Sequence, residues 1–173
     1  LWLCLTPSYM LCFASAMVML TERDENMAGY MAVTPVGKRG YILSRTAFPG
    51  VVSFFFSLIL TYFFALTRWK LLLLSAVSLL MCLSGTVAAL FIFSFSRNRV
   101  EGMAMAKMAS LIFLSLGVPF FVSSDAQYFA AFLPSFWAAK LAMEENVLHM
   151  LPALAVSFVW IGWLGRRFMW KLF

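Results

Sequence analysis

The chain alternates long apolar runs with short polar gaps. Residues 1–20, 46–67, 71–96, 108–124 and 147–164 contain no Asp, Glu, Lys or Arg, and each run is 17 to 26 residues long. About 20 residues at 1.5 Å rise cross the roughly 30 Å hydrocarbon core of a bilayer. The pattern therefore predicts an all-α, polytopic membrane protein, with five transmembrane helices in a single transmembrane domain over residues 1–173. The gaps become a loop at 21–45, a turn around 97–107, an interrupted segment at 125–146 and a basic tail.

Composition agrees with that reading and excludes a soluble domain. Hydrophobic residues make up 64% of the chain and charged residues 12%, and the mean hydropathy is +0.92. A soluble surface needs about 25% charged residues. Cys4, Cys12 and Cys82 all fall in apolar runs, where a cysteine acts as a small buried hydrophobe. Neither a disulfide framework nor a metal site is implied, and no cofactor is expected.

Charge sets the orientation. Arg23, Lys38, Arg39 and Arg45 lie in the first gap, Arg97, Arg99 and Lys107 in the third, and Arg166, Arg167 and Lys171 in the tail. With those segments inside, ten of the thirteen Lys and Arg are cytoplasmic and only Arg68, Lys70 and Lys140 are outside, as the positive-inside rule requires. Leu1 then lies outside, and the expectation is that one earlier span precedes it.

The loop 21–45 is the most organised polar segment. Thr21 is placed to cap a helix whose first turn holds Glu22, Asp24 and Glu25, acids suited to the positive end of a helix dipole, around Arg23. Thr34-Pro35 breaks that helix, and a short amphipathic helix restarts at Pro35 and leads into the next span. Gly37-Lys38-Arg39 invites comparison with a phosphate loop. It lacks the required Gly five positions earlier, where Ala32 stands, and the Ser or Thr after the lysine, where Arg39 stands. No nucleotide site of its own is visible.

Proton- and sodium-coupled carriers commonly keep ionisable groups at membrane depth. Here the polar residues of the spans are Ser53, Ser57, Thr61, Ser84, Thr86 and Ser115, which ordinarily bond to helix backbone or across helix contacts. If the protein moves a substrate, the energy comes from a partner.

Three polar stretches carry a resemblance. Glu22-Arg23-Asp24-Glu25 through Thr34-Pro35 and Lys38-Arg39 resembles the cytoplasmic loop after the second span in permeases of the ABC-2 type export family. Asn98-Arg99-Val100-Glu101-Gly102 with Lys107 is similar to the loop before the fifth span. Leu133-Pro134-Ser135-Phe136-Trp137 through Lys140 resembles the external segment before the last span. The closest subgroup is the permeases of fluoroquinolone or multidrug export. The resemblance implies a six-helix ABC-2 (type V exporter) permease domain lacking its first span here, in a bacterial or archaeal plasma membrane. It also implies pairing with a second permease copy and with separate ABC ATP-binding subunits.

In such exporters the first loop docks on the ATPase, so the resemblance assigns Glu22, Arg23, Asp24, Glu25, Thr34, Pro35, Lys38 and Arg39 to ATPase coupling; a plain solvated face is the other reading. Asn98, Arg99, Glu101, Gly102 and Lys107 form a second cytoplasmic turn, with arginines able to meet anionic lipid headgroups. Outside, Pro134 is expected to split 125–146 into two short interfacial helices, with Trp137 and Tyr128 at headgroup depth and Lys140 and Glu144 in water.

Two other classes remain open. Glu144-Glu145 near His149 partly resembles the paired-glutamate motif of intramembrane proteases, but His149 stands where an Arg belongs and it is the single histidine. A partner-free channel or scaffold is the second. The 19 Phe and 12 Met suit an apolar or amphipathic substrate and suit lipid contact and helix packing equally well.

Overall fold

A computed structural model describes residues 1–27, 30, 37–64, 70–122 and 124–172, without the side chains of 37–39, 42, 171 and 172. The described residues form helices and turns, with no strand among them. In chain order the helices are α1 (Trp2–Asp24), α2 (Gly37–Phe64), α3 (Leu71–Phe95), α4 (Arg99–Leu114), α5 (Val118–Phe121), α6 (Pro134–Glu144) and α7 (Met150–Leu172), with 3-10 turns at Asp125–Ala130 and Val147–His149. Among the described residues, four helices are long and apolar enough to cross a membrane: Trp2–Asp24, Leu43–Phe64, Leu71–Phe95 and Val147–Trp170.

The centre is α3. It is apolar on every side, so it buries best when surrounded, and Leu74, Val77, Leu80, Met81, Ile92 and Phe93 are all within the core. Cys4 of α1 reaches Ser78, Arg23 of α1 reaches Ser96, and Phe93 stacks on Phe168 of α7 at 4.4 Å. The contacts between α1 and α3 advance together, so these helices run parallel. Helix α7 runs with them, because Leu72 and Ser75 near the start of α3 line one pocket with Met150 at the start of α7, while Phe93 meets Phe168 further on. By the same logic α2 is antiparallel to α1, because Cys4 meets Thr61 and Glu22 meets Tyr41. The C-terminal ends of α1, α3 and α7 therefore gather Arg23, Arg97 and Arg167 at one end of the bundle, and Arg45 and Arg99 join them there. That is the end the charge pattern assigns to the cytoplasm.

Since α3 and α7 are parallel, the chain between them has to return across the bundle. It does so along α4, which begins beside Asp24 and passes Tyr9 at Ala106. Here the structure differs from the expected span at 108–124. The helix starts at Arg99 and stops at Leu114, 16 residues or roughly 24 Å. Asn98 explains the start: its Oδ1 accepts from the Glu101 amide at 2.8 Å, and the Glu101 carboxylate accepts from the Arg97 amide at 2.6 Å, a reciprocal cap. The stop is also built. The hydroxyls of Ser115 and Ser135 meet at 2.7 Å, and Ser135 donates to the Ile112 carbonyl at 2.5 Å, so the open backbone is satisfied from α6.

Two expectations about the first loop are corrected. Thr21 caps nothing: its hydroxyl donates back to the Met17 carbonyl at 3.0 Å, and α1 continues through it to Asp24. The acids at 22–25 thus end one helix instead of starting another. The next helix runs without interruption from Gly37 into the membrane segment, so the amphipathic lead-in and the span are one element.

Candidate functional site

The inner end of the bundle holds most of the polar residues singled out above. Glu22 sits in the last turn of α1, where a carboxylate faces the negative end of the helix dipole and needs a compensating charge. Arg45 supplies it. Its Nη2 and Nε donate to the two Glu22 carboxylate oxygens, the latter at 3.2 Å, and the Tyr41 hydroxyl donates to Oε2 at 2.7 Å. Glu22 is 8% exposed and Tyr41 3%. Burial, and then the bond to Glu22, pushes the Tyr41 phenol well above its ordinary value. Glu22 is therefore an internal ligand of α2 and not part of the surface.

A second contact explains why Arg45 lies where it does. Pro49 lies inside α2 and has no N–H, so the Arg45 carbonyl four residues earlier loses its helical donor. The Ser15 hydroxyl of α1 donates to that carbonyl instead. Ser15 and Glu22 are about two turns apart on α1, so α1 grips Arg45 by its backbone and by its guanidinium. Sequence reasoning missed this contact, because the pairing is between helices.

The other members of the cluster serve helix ends. Arg23 donates to the Ser96 carbonyl at 3.0 Å, closing the C terminus of α3, and lies 5.0 Å over the Phe93 ring. Asp24 accepts from the Arg99 amide at 3.1 Å, at the positive end of α4. Gly102 is buried against Leu20 and Met17. Glu25, Arg97, Asn98 and Arg99 are exposed, and with Asp24 they form the polar surface at this end. Lys107, expected in the same turn, is exposed about two turns further along α4, beside Ala106 at the level of Tyr9. Thr34 and Pro35 lie outside the described residues, as do the side chains of Lys38 and Arg39.

At the opposite end, Pro134 opens α6 as its first residue. Trp137 donates its indole N–H to the Ala131 carbonyl at 2.7 Å. Lys140 does not reach water: its side chain is 7% exposed, donates to the Tyr128 hydroxyl at 2.6 Å and lies 4.3 Å over the Tyr128 ring. The bond to Tyr128 in the first place, with Glu144 at 3.7 Å adding to it, raises the Lys140 pKa against the smaller opposing effect of desolvation. Glu144 also meets His149 at 2.5 Å, which ties the end of α6 to the start of α7. Among the described residues no group of three metal-ligating side chains forms.

Between α1 and α4 lies an apolar groove of about 330 Å³. Trp2, Tyr9 and Phe113 form its aromatic walls, and Thr6 and Ser110 supply hydroxyls. Tyr9 and Phe113 pack edge to face at 5.2 Å.

Parallel apolar helices with their cations gathered at one end define a polytopic integral membrane protein. Residues 1–165 match the model of a family described as fluoroquinolones export permease protein Rv2686c-like, and the chain belongs to that family. No curated protein and no solved structure gives a significant match.

Proposed function

We propose that the chain is the permease subunit of an ATP-driven exporter, carrying amphipathic aromatic molecules of the fluoroquinolone kind across the membrane. The observation that carries this reading is the family match over residues 1–165. Hydrolysis belongs to a separate ABC ATP-binding subunit, and a second permease copy completes the transporter. Two features of the chain support that division. The segment at Gly37-Lys38-Arg39 lacks the residues of a phosphate loop. The apolar runs 1–20, 46–67, 71–96 and 147–164 hold no Asp, Glu, Lys or Arg for ion coupling at membrane depth, the charges of the helices lying at their ends.

The exposed inner-end residues are proposed to meet the ATP-binding subunit: Asp24, Glu25, Arg97 and Arg99 together with the loop around Thr34, Pro35, Lys38 and Arg39. The groove between α1 and α4 is proposed to contact substrate. Its volume is at the lower end for a small-molecule site, and aromatic walls with two hydroxyls suit a flat, weakly polar ring system.

The test is reconstitution. The purified permease in liposomes is expected to show no ATP turnover. With its ATP-binding subunit, ATP is expected to drive movement of a fluorescent fluoroquinolone. ATP hydrolysis by the permease alone, persisting after contaminating ATPases are removed, would defeat the proposal.

A further inference from the structure

We propose that Glu22, Arg45 and Tyr41 form a transmission joint, which passes movement of the loop between α1 and α2 into the membrane helices. The inference rests on the exporter reading and identifies where in the fold the motion would be transferred. Glu22 and Arg45 bracket that loop in sequence, and their side chains close its base. Tyr41, one turn before Arg45 on α2, adds its hydroxyl to the same carboxylate. The joint has a second attachment two turns deeper, where Ser15 holds the Arg45 carbonyl.

The arrangement has a mechanical consequence. The attachments lie on the loop side of Pro49, where α2 is missing one rung of its hydrogen-bond ladder. A helix bends most readily where such a rung is absent. Force on the first turns of α2 therefore reaches α1 through the joint before it reaches the part of α2 beyond Pro49. From α1 it continues inward, because Arg23, the residue after Glu22, holds the end of α3 through Ser96, and Asp24 holds the start of α4 through the Arg99 amide. Four helices thus meet at three consecutive residues of α1. A partly buried ion pair serves this purpose better than apolar contact, since its directional bonds resist sliding and breaking it leaves the Glu22 carboxylate uncompensated.

A joint is distinguishable from a merely stabilising contact. Loss of stability lowers ATP hydrolysis and transport together, whereas loss of transmission lowers the transport achieved per ATP hydrolysed. The experiment uses the full chain with its ATP-binding subunit in liposomes and follows copurification, ATP hydrolysis and uptake of a fluorescent fluoroquinolone. Glu22→Gln is expected to keep the subunit bound and hydrolysing, while transport per ATP falls about tenfold, the size of a typical coupling between sites. The exchanged pair, Glu22→Arg with Arg45→Glu, is expected to recover part of that loss. Tyr41→Phe keeps the ion pair and removes one hydroxyl, so it decides the matter if Glu22→Gln fails to fold; a drop of about threefold is expected. Transport per ATP that stays at the wild-type value in the variants that fold would overturn the joint. Failure of the unaltered chain to bind any ATP-binding subunit would instead defeat the exporter reading, which separates the two failures.

Discussion

Gly85 of α3 lies against the backbone of Ser8 in α1. A Cβ at position 85 would sit 2.7 Å from the Ser8 carbonyl oxygen and 3.1 Å from the Cys12 sulfur. Small residues let membrane helices approach closely, and this is the tightest such point between the central helix and α1. Because the obstructing atom belongs to the backbone, it cannot rotate away. Gly85→Ala is expected to destabilise the bundle by about 1–3 kcal/mol, read as a lower melting temperature in detergent. Gly162 is the control, since a Cβ there meets nothing within 4 Å; Gly162→Ala is expected to keep or slightly raise the melting temperature, alanine being the better helix former.

Alkaline pH should probe the two ends separately. The Lys140 pKa is raised in the folded protein, so its contribution is complete below the unfolded value of about 10.4 and is lost as pH rises through the higher folded value. Wild type is expected to melt above Lys140→Met by a constant margin from about pH 7 to 9.5, with the margin shrinking beyond about pH 10.5. Tyr41 is shifted in the same direction, so its phenol stays protonated above the ordinary tyrosine value of about 10. Tyr41→Phe is therefore expected to leave the phenolate absorbance between about pH 9 and 11 unchanged. An equal margin at every pH, or a lost absorbance step in that window, would contradict these assignments.

The boundaries of the central helix were legible because charge and hydropathy change sharply there. The run 71–96 became the helix Leu71–Phe95 almost residue for residue, as Lys70 and Arg97 mark both ends. Where a cap and a hydrophobic boundary disagreed, the apolar pattern misled. Arg99, Glu101 and Lys107 suggested a loop, yet the Asn98 cap starts α4 before them and its charges face outward. Thr21 had the chemistry of a cap but sits in the interior of a longer helix, where a hydroxyl bonds back to the preceding turn. The inner-end cluster was visible as charge in the sequence, while its pairing was not. Glu22 with Arg45, and Lys140 with Tyr128, are contacts between separate elements, and periodicity within one element carries no signal for them.

The corrected position of Glu22 changes how the proposed ATPase contact should be tested. Reversing Glu22 attacks the fold, because removing one partner of a buried pair costs about 3–5 kcal/mol, less here since the Arg45 side chain is 35% exposed. Glu25 is exposed, and among the described residues its bond to the bundle is from its backbone amide to the Thr21 carbonyl. Glu25→Lys, and separately Lys38→Glu with Arg39→Glu, are expected to reduce copurification of the ATP-binding subunit while leaving permease melting within about 0.5 kcal/mol of wild type. If both variants retain the subunit fully, the contact moves to the exposed residues Arg97, Asn98 and Arg99.

Cysteine labelling tests the topology and the outer segment together. The natural thiols at Cys4, Cys12 and Cys82 are buried, and Cys82 is occupied in donating to the Gly50 carbonyl at 3.0 Å, so unaltered protein should react little with an impermeant reagent. Gln127 and Glu145 flank α6; Glu145 is exposed and Gln127 half-buried. Cysteines at either position are expected to label from outside intact cells. Lys140→Cys is expected to label far more slowly, because that side chain is covered by Tyr128 and α6 packs against α3 and α7. Arg99→Cys, at the exposed start of α4, should react only after the membrane is opened. Labelling of positions 127 and 145 from opposite sides would mean that the segment crosses the membrane, and the inner end described above would then no longer share one face. Labelling of Arg99→Cys from outside would reverse the orientation of the whole bundle and place the transmission joint on the wrong side for an ATP-binding partner.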